Sequence, residues 1–280
     1  MAENNCKVIS IANQKGGVAK TTTTLNLGVC LAKHGARVLM IDADYQGSLS
    51  ISAGLDNPDN LENTITEFLS YEMTGDKRFF ISDKDLIIRN FEGVDLIPAN
   101  ITLAGLEVEM DKYPGKETIL KRSIEQIRDA YDFILIDCAP SLTTMTVNAL
   151  TASDSVLIPF VTSKLSKAGM QNLFNRISQT KRVLNPMLRV EGMVATMVDS
   201  RTNNSKLIMD SVKSEIGGMI KVFDTVIPRS VKAEECPNYG ESIFKHDPKG
   251  TVADAYERLT QEVMNREREK DPKSRCDSVR

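Results

Sequence analysis

Short, almost uninterrupted apolar runs alternate along this chain with longer stretches in which apolar residues recur every three or four positions. The runs predict strands over 6–12, 37–42, 94–98, 132–137, 155–160, 190–198 and 221–227, and the longer stretches predict helices over 20–34, 116–130, 166–184, 204–216 and 252–268. Val38-Leu39-Met40-Ile41 and Phe133-Ile134-Leu135-Ile136 contain no polar position to turn toward water. Strands of that kind are covered on both faces, as in a parallel sheet between two helical layers. The expected fold class is therefore α/β, a doubly wound, mostly parallel sheet flanked by helices. Residues 56–93 are the least regular and are expected at the periphery. With no internal repeat or low-complexity linker, residues 1–265 are expected to form a single domain. The charged segment 266–280 lacks apolar periodicity and is expected to fray as a tail.

The junction of the first strand and the first helix carries the most specific chemistry. After Val8-Ile9-Ser10-Ile11-Ala12 come Lys15-Gly16-Gly17-Val18-Ala19-Lys20-Thr21-Thr22, followed by a helix with Leu25, Leu27, Val29 and Leu31. Glycines let such a turn point successive N–H groups into one concavity, and the positive end of the helix faces the same spot, so the loop suits phosphate oxygens. Lys20 supplies a cation for the β and γ phosphates, and the Thr21 hydroxyl can ligand Mg2+. The ordinary G-x-x-x-x-G-K-[ST] pattern does not fit, because Gln14 and Ala19 stand where it needs glycine. What fits is K-G-G-x-x-K-[ST], with a second lysine, Lys15, at the start.

Two acidic clusters follow predicted strands, Asp42-Ala43-Asp44-Tyr45-Gln46-Gly47 and Asp137-Cys138-Ala139-Pro140-Ser141. An open α/β sheet binds its ligand at the carboxyl ends of its strands. Carboxylates there can hold Mg2+ through its waters, since that ion keeps most of its hydration shell. Each cluster alone also reads as a strand-terminating turn.

Taken in order, these segments resemble the ParA/MinD ATPases with their deviant P-loop, and most closely the short ParA/Soj-type partition ATPases of chromosomes or plasmids. Matching segments are 15–22, the D-x-D-x-Q-G run at 42–47, Leu96-Ile97-Pro98-Ala99-Asn100 with Leu103-Ala104-Gly105-Leu106-Glu107, and the D-x-x-P-S run at 137–141. Ile227-Pro228-Arg229-Ser230-Val231 with Tyr239-Gly240, and Asp247-Pro248 before the last helix, complete them. The resemblance implies ATP and Mg2+ as cofactors. Gly16, Gly17, Val18, Ala19, Lys20, Thr21 and Thr22 would cradle the phosphates, and Thr21, Asp42 and Asp137 would hold the metal and its water shell. Asp44 would position the attacking water, and Lys15 would reach across a homodimer to the partner's nucleotide. Pro228 and Arg229 would line the adenine. Phosphoryl transfer leaves a protein mainly positioning and charge neutralisation, so a carboxylate and a lysine supplied in trans are apt tools.

The departures from the family pattern are Ala19 for a glycine, Tyr45 for a proline, and Ala139 and Thr143 for a proline and a glycine. A methyl at 19 fits a right-handed backbone and is costly if φ must be positive. Tyr45 is expected to leave its segment less rigid.

Composition bounds the rest. An apolar share of 41% and a charged share of 26% are ordinary for a globular protein, and the net charge of −3 gives no global attraction to nucleic acid. The resemblance implies non-specific DNA binding by the ATP dimer, with Arg201, Arg229 and Lys232 as contacts. Residues 181–250 carry eleven Lys and Arg against nine acids, a mild bias in that direction. No helix-turn-helix or zinc pattern offers base readout. A ParB-type centromere-binding protein is the implied partner and accelerator of a slow hydrolysis. The rival readings are an ATPase positioning another cargo and a hydrolysis-deficient, nucleotide-gated adaptor.

Five cysteines without a C-x-x-C disfavour disulfides and structural zinc, and the two histidines, His34 and His246, are too few to suggest a metal site. Cys138 reads as a small filler of a strand end. No leader is evident, no apolar run reaches the ~20 residues of a membrane span, and Met264–Arg280 holds too few apolar side chains for an amphipathic stripe. A cytoplasmic protein, nucleoid-associated when ATP-bound, is expected.

Overall fold

The computed structural model describes residues 6–80, 82–141, 143–162, 167–199, 212, 218 and 220–270. The helix expected over 204–216 falls largely outside them, as does Arg201. The strands are β1 (Lys7–Ile11), β2 (Val38–Ala43), β3 (Ile88–Phe91), β4 (Val94–Ile97), β5 (Phe133–Cys138), β6 (Ser155–Phe160), β7 (Arg189–Val198) and β8 (Val222–Pro228). The α-helices among these residues are α1 (Lys20–Lys33), α2 (Ser48–Ser52), α3 (Ile65–Thr74), α4 (Asp83–Leu86), α5 (Thr102–Met110), α6 (Ile119–Glu125), α7 (Thr144–Ala152), α8 (Lys167–Val183), α9 (Val231–Tyr239), α10 (Ile243–His246) and α11 (Thr251–Lys270).

The strands form one sheet in the order β3-β4-β2-β5-β1-β6-β7-β8. Every neighbouring pair is parallel except β3 with β4. All seven expected strands are present. The antiparallel β3 was not expected, because its four residues pair with β4 across the tight Glu92-Gly93 turn, too short a segment to show periodicity.

The continuous apolar runs behave as their composition requires. Every residue of β2 and β6 is buried, and successive side chains serve opposite faces of the sheet. Leu39, Ile41, Ile134 and Ile136 pack with α3, α5, α6 and α7 on one face. Val38, Met40 and Leu135 pack with α1 and α11 on the other. Residues 56–93 are less peripheral than expected. Ile65 and Leu69 of α3 are fully buried, and Thr64 caps that helix reciprocally with Glu67. The 116–130 helix is broken into α6 between two 3-10 turns, Lys116–Thr118 and Arg128–Ala130. At the other end α11 runs on to Lys270 instead of fraying from Arg266, whose Nε meets the buried Glu191 carboxylate at 3.0 Å.

Candidate functional site

The parallel register brings the chemistry-bearing residues to one end of the sheet. β1, central in the order, ends in the glycine loop, with β5 and then β2 to one side and β6 and β7 to the other. Asp42 and Asp137 are register partners on β2 and β5. They continue the face of Met40 and Leu135, so both carboxylates lie under α1, and both are fully buried.

The glycine loop is held from both sides. Asn13 Nδ2 donates to the Pro159 carbonyl at 2.7 Å while its Oδ1 accepts the Lys15 N–H at 3.0 Å. From β7, the buried Thr196 Oγ1 lies 3.1 Å from the Val18 carbonyl and 3.0 Å from that of Phe160. Lys15, Gly16 and Gly17 are exposed, whereas Val18 and Lys20 are buried. Lys20 is only 7% exposed, and its Nζ lies 3.4 Å from the Lys15 carbonyl. Burial pushes the Lys20 pKa down, and the charges of Asp137 and Asp44 act in the opposite direction. Gln14 Oε1 is buried without a hydrogen-bond partner in the described structure, an acceptor that a bound group or water would satisfy.

Gly17 and Ala19 both take positive φ, 63° and 62°. The methyl at 19 therefore falls in the costly case, and Ala19 caps α1 with no side-chain bond. An L-residue in this region is strained by about 1–2 kcal/mol. Glycine would relieve that strain but loosens the unfolded chain by about 0.4–1 kcal/mol. Ala19→Gly is therefore expected to stabilise the nucleotide-free protein by about 0.5–1 kcal/mol. Urea unfolding measures this; an unchanged or lower midpoint would argue against the left-handed backbone at 19.

The two buried aspartates are fully engaged. Asp137 accepts from Thr21 Oγ1 at 2.7 Å and from Thr24 Oγ1 at 3.1 Å. Asp42 accepts from Ser50 N at 2.9 Å, Ser50 Oγ at 2.8 Å and Asp44 N at 3.2 Å. Ser50 Oγ also accepts the Ala99 N–H at 3.0 Å, which ties the carboxylate to the end of β4. Burial pushes Asp42 up to about 6, and burial reinforced by the Asp42 charge pushes Asp137 up to about 7. Two desolvated carboxylates beside a threonine hydroxyl form an all-oxygen donor set that suits a hard divalent cation. Thr22 is half-buried, and its carbonyl accepts from Asn26 Nδ2, one turn on, at 2.8 Å.

Asp44 lies just past β2 and is 7% exposed. Its Oδ1 accepts the Gln46 N–H at 3.1 Å, and its carbonyl accepts the Gly47 N–H at 2.9 Å. The turn is thus closed by Asp44 and by Gly47, whose φ of 62° disfavours a side chain and where a Cβ would come within 2.9 Å of the Ala99 carbonyl oxygen. These bonds order the segment where Tyr45 replaces the proline. Cys138 is an inert filler: its thiol is buried, and burial pushes it up to about 12.

Pro228 ends β8, and the Arg229 N–H bonds the Val198 carbonyl, so both stand at the ligand end of the sheet beyond β7. The basic side chains named there are not isolated charges. Arg229 Nε meets Glu234 at 3.1 Å and Lys232 Nζ meets Asp247 at 2.9 Å.

Sequence reasoning missed Asn13, Thr24, Ser50 and Thr196. Thr24 follows Lys20 by one helical turn, which is a readable signal. The others act on backbone groups or across the sheet and leave none.

A family model described as an AAA domain matches residues 6–190. Sporulation initiation inhibitor protein Soj of Bacillus subtilis is 41% identical over 261 residues, 92% of this chain and 98% of that protein. Chromosome partitioning protein ParA of Caulobacter vibrioides is 38% identical over 276 residues, 98% and 100% of the two chains. Among solved structures, a cobyrinic acid a,c-diamide synthase from Mycobacterium smegmatis with bound ATP analogue and magnesium superposes with a TM-score of 0.81 at 33% identity, covering 93% of this chain and 94% of that one. Identity at this level over nearly the full length of both chains settles the kinship that the glycine loop first suggested: the chain belongs to the ParA/Soj family of partitioning P-loop ATPases.

Proposed function

We propose that this protein is an ATP- and Mg2+-dependent partition ATPase that dimerises around nucleotide, binds DNA without base preference and hydrolyses ATP slowly under a ParB-type partner. The observation that carries the reading is the burial of the Lys20 ammonium among the charges of Asp137 and Asp44, in a glycine loop whose other lysine, Lys15, is exposed. The magnesium–nucleotide held in the Mycobacterium smegmatis neighbour supports the same cofactors here.

Magnesium would neutralise phosphate charge and orient the transferred group. Thr21 would ligand it directly, and Asp42 and Asp137 would hold its waters, their buried charge then balanced. The N–H groups of residues 16–22 and the Lys20 ammonium would bind the phosphates. Asp44 would orient water, and Lys15 of a second subunit would neutralise charge developing on the phosphates, making turnover depend on dimerisation. Pro228 would pack on the base, with Arg229 at its edge.

DNA binding is the test. Binding to a non-specific duplex is expected only with ATP, absent with ADP or without nucleotide, and falling steeply with salt. Lys232→Glu should reduce the salt slope by about two, one contact from each subunit, and leave ATP affinity unchanged. Binding that ignores the nucleotide would overturn the gated dimer, and an unaltered slope would remove Lys232 from the interface. Among the described residues no helix is long and apolar enough to cross a membrane.

A further inference from the structure

Cys30 in the last turn of α1 and His34 at its C-cap stand at i and i+4, so their side chains leave the helix end on one face. That face is covered by α11, and Glu257 of α11 meets both. The Cys30 thiol donates to Glu257 Oε2 at 3.1 Å, and His34 Nε2 lies 2.6 Å from Oε1. The three ligand atoms all fall within 4.8 Å of one another. The site lies at the far end of α1 from the glycine loop, and nothing in the nucleotide chemistry uses it.

We propose that Cys30, His34 and Glu257 form a zinc-class metal site that staples α11 to the helix of the nucleotide loop. One thiolate, one imidazole and one carboxylate are the borderline donor set that selects zinc over magnesium. Tetrahedral ligands about 2.0–2.3 Å from an ion sit roughly 3.3–3.7 Å apart. The two contacts to Glu257 need to open by about 1 Å or less to reach that spacing, which rotation of the half-exposed Glu257 side chain supplies. The outer shell is in place. Gln261 Nε2 donates to Glu257 Oε1 at 3.2 Å. Cys30 anchors the inner side, fully buried, while His34 and Glu257 keep 34% and 32% of their side chains exposed. That open side admits the ion and leaves room for water as a fourth ligand. On binding, the thiol loses its proton to solvent and its sulfur becomes a thiolate ligand, so one proton is released per ion.

The test uses the full chain, stripped of metal with a chelator and free of nucleotide, titrated with Co2+ and then Zn2+ near neutral pH. The expected result is a sulfur-to-cobalt charge-transfer band saturating at one ion per chain and discharged by Zn2+. Cys30→Ser should abolish the band, and Glu257→Gln or His34→Ala should weaken binding at least tenfold. Saturating Zn2+ should raise the melting temperature of the parent by about 5 °C but not that of Cys30→Ser. Absence of the band overturns the site. So does a band that survives Cys30→Ser and disappears in Cys138→Ser, which would move the ion to the glycine loop. Equal zinc-induced shifts in parent and Cys30→Ser would overturn it as well.

Discussion

ATP affinity is expected to fall at least about a hundredfold when Lys20 is replaced by methionine. The loss follows from where the ammonium sits. It is 7% exposed, so water cannot take over its role, and the groups facing it are the carboxylates of Asp137 and Asp44. Each hydrogen bond from a charged donor contributes roughly 1.5–3 kcal/mol. Two such bonds to phosphate oxygens amount to about 3–6 kcal/mol, or two to four powers of ten in affinity. Removing the charge also leaves buried carboxylates facing an incoming polyanion, which adds repulsion in a low-dielectric site. Methionine keeps most of the apolar stem that lines the loop, so a cooperative melt should persist and separate a binding defect from unfolding. Titration calorimetry with magnesium and ATP reads the result. Affinity within threefold of the parent would take Lys20 away from the phosphates and the proposed function with it.

The central part of this site was legible because it is written in short segments with strict geometry. A strand, a glycine turn and a helix fix Lys20 and Thr21, and continuous apolar runs put Asp42 and Asp137 at neighbouring strand ends. What could not be read depends on contacts between distant segments or on backbone angles. The spacing of the loop leaves the φ of Ala19 open, and the structure sets it at 62°. Thr196 reaches Val18 from 178 residues away, and Ser50 bridges Asp42 to Ala99. The short helices α2, α5, α7 and α9 have too few turns for a clean apolar stripe, and β3 pairs by a local turn. Charge counting over 181–250 could not show that Arg229 and Lys232 are each matched by an acid brought near by the fold. Counting histidines likewise set His34 aside as too isolated for a metal site. Its partner Glu257 lies 223 residues along the chain, and only the packing of α1 against α11 joins them.

Turnover in Asp44→Ala is expected to drop by about 10²–10⁴-fold while the affinity for ATP changes by less than about threefold. The three aspartates at these strand ends are not equivalent. Asp137 is occupied by two threonine hydroxyls and Asp42 by Ser50 and the Asp44 amide, which suits holding a metal's hydration shell and leaves little capacity to move. Asp44 has its direction fixed by the Gln46 N–H on Oδ1, and it lies beyond the strand end with Lys20 among its electrostatic partners. On the proposed reading it is the carboxylate that would orient a water. Asp44→Asn sharpens the test, because asparagine still accepts the Gln46 N–H and keeps the turn while losing the charge. Equal loss in both variants assigns the effect to the carboxylate. Retained turnover in Asp44→Asn assigns Asp44 to the turn alone and leaves the water to another group. On the proposed reading an ordered water is not sufficient: charge developing on the transferred phosphate would stay unneutralised until a second subunit presented its exposed Lys15, so hydrolysis would wait on assembly.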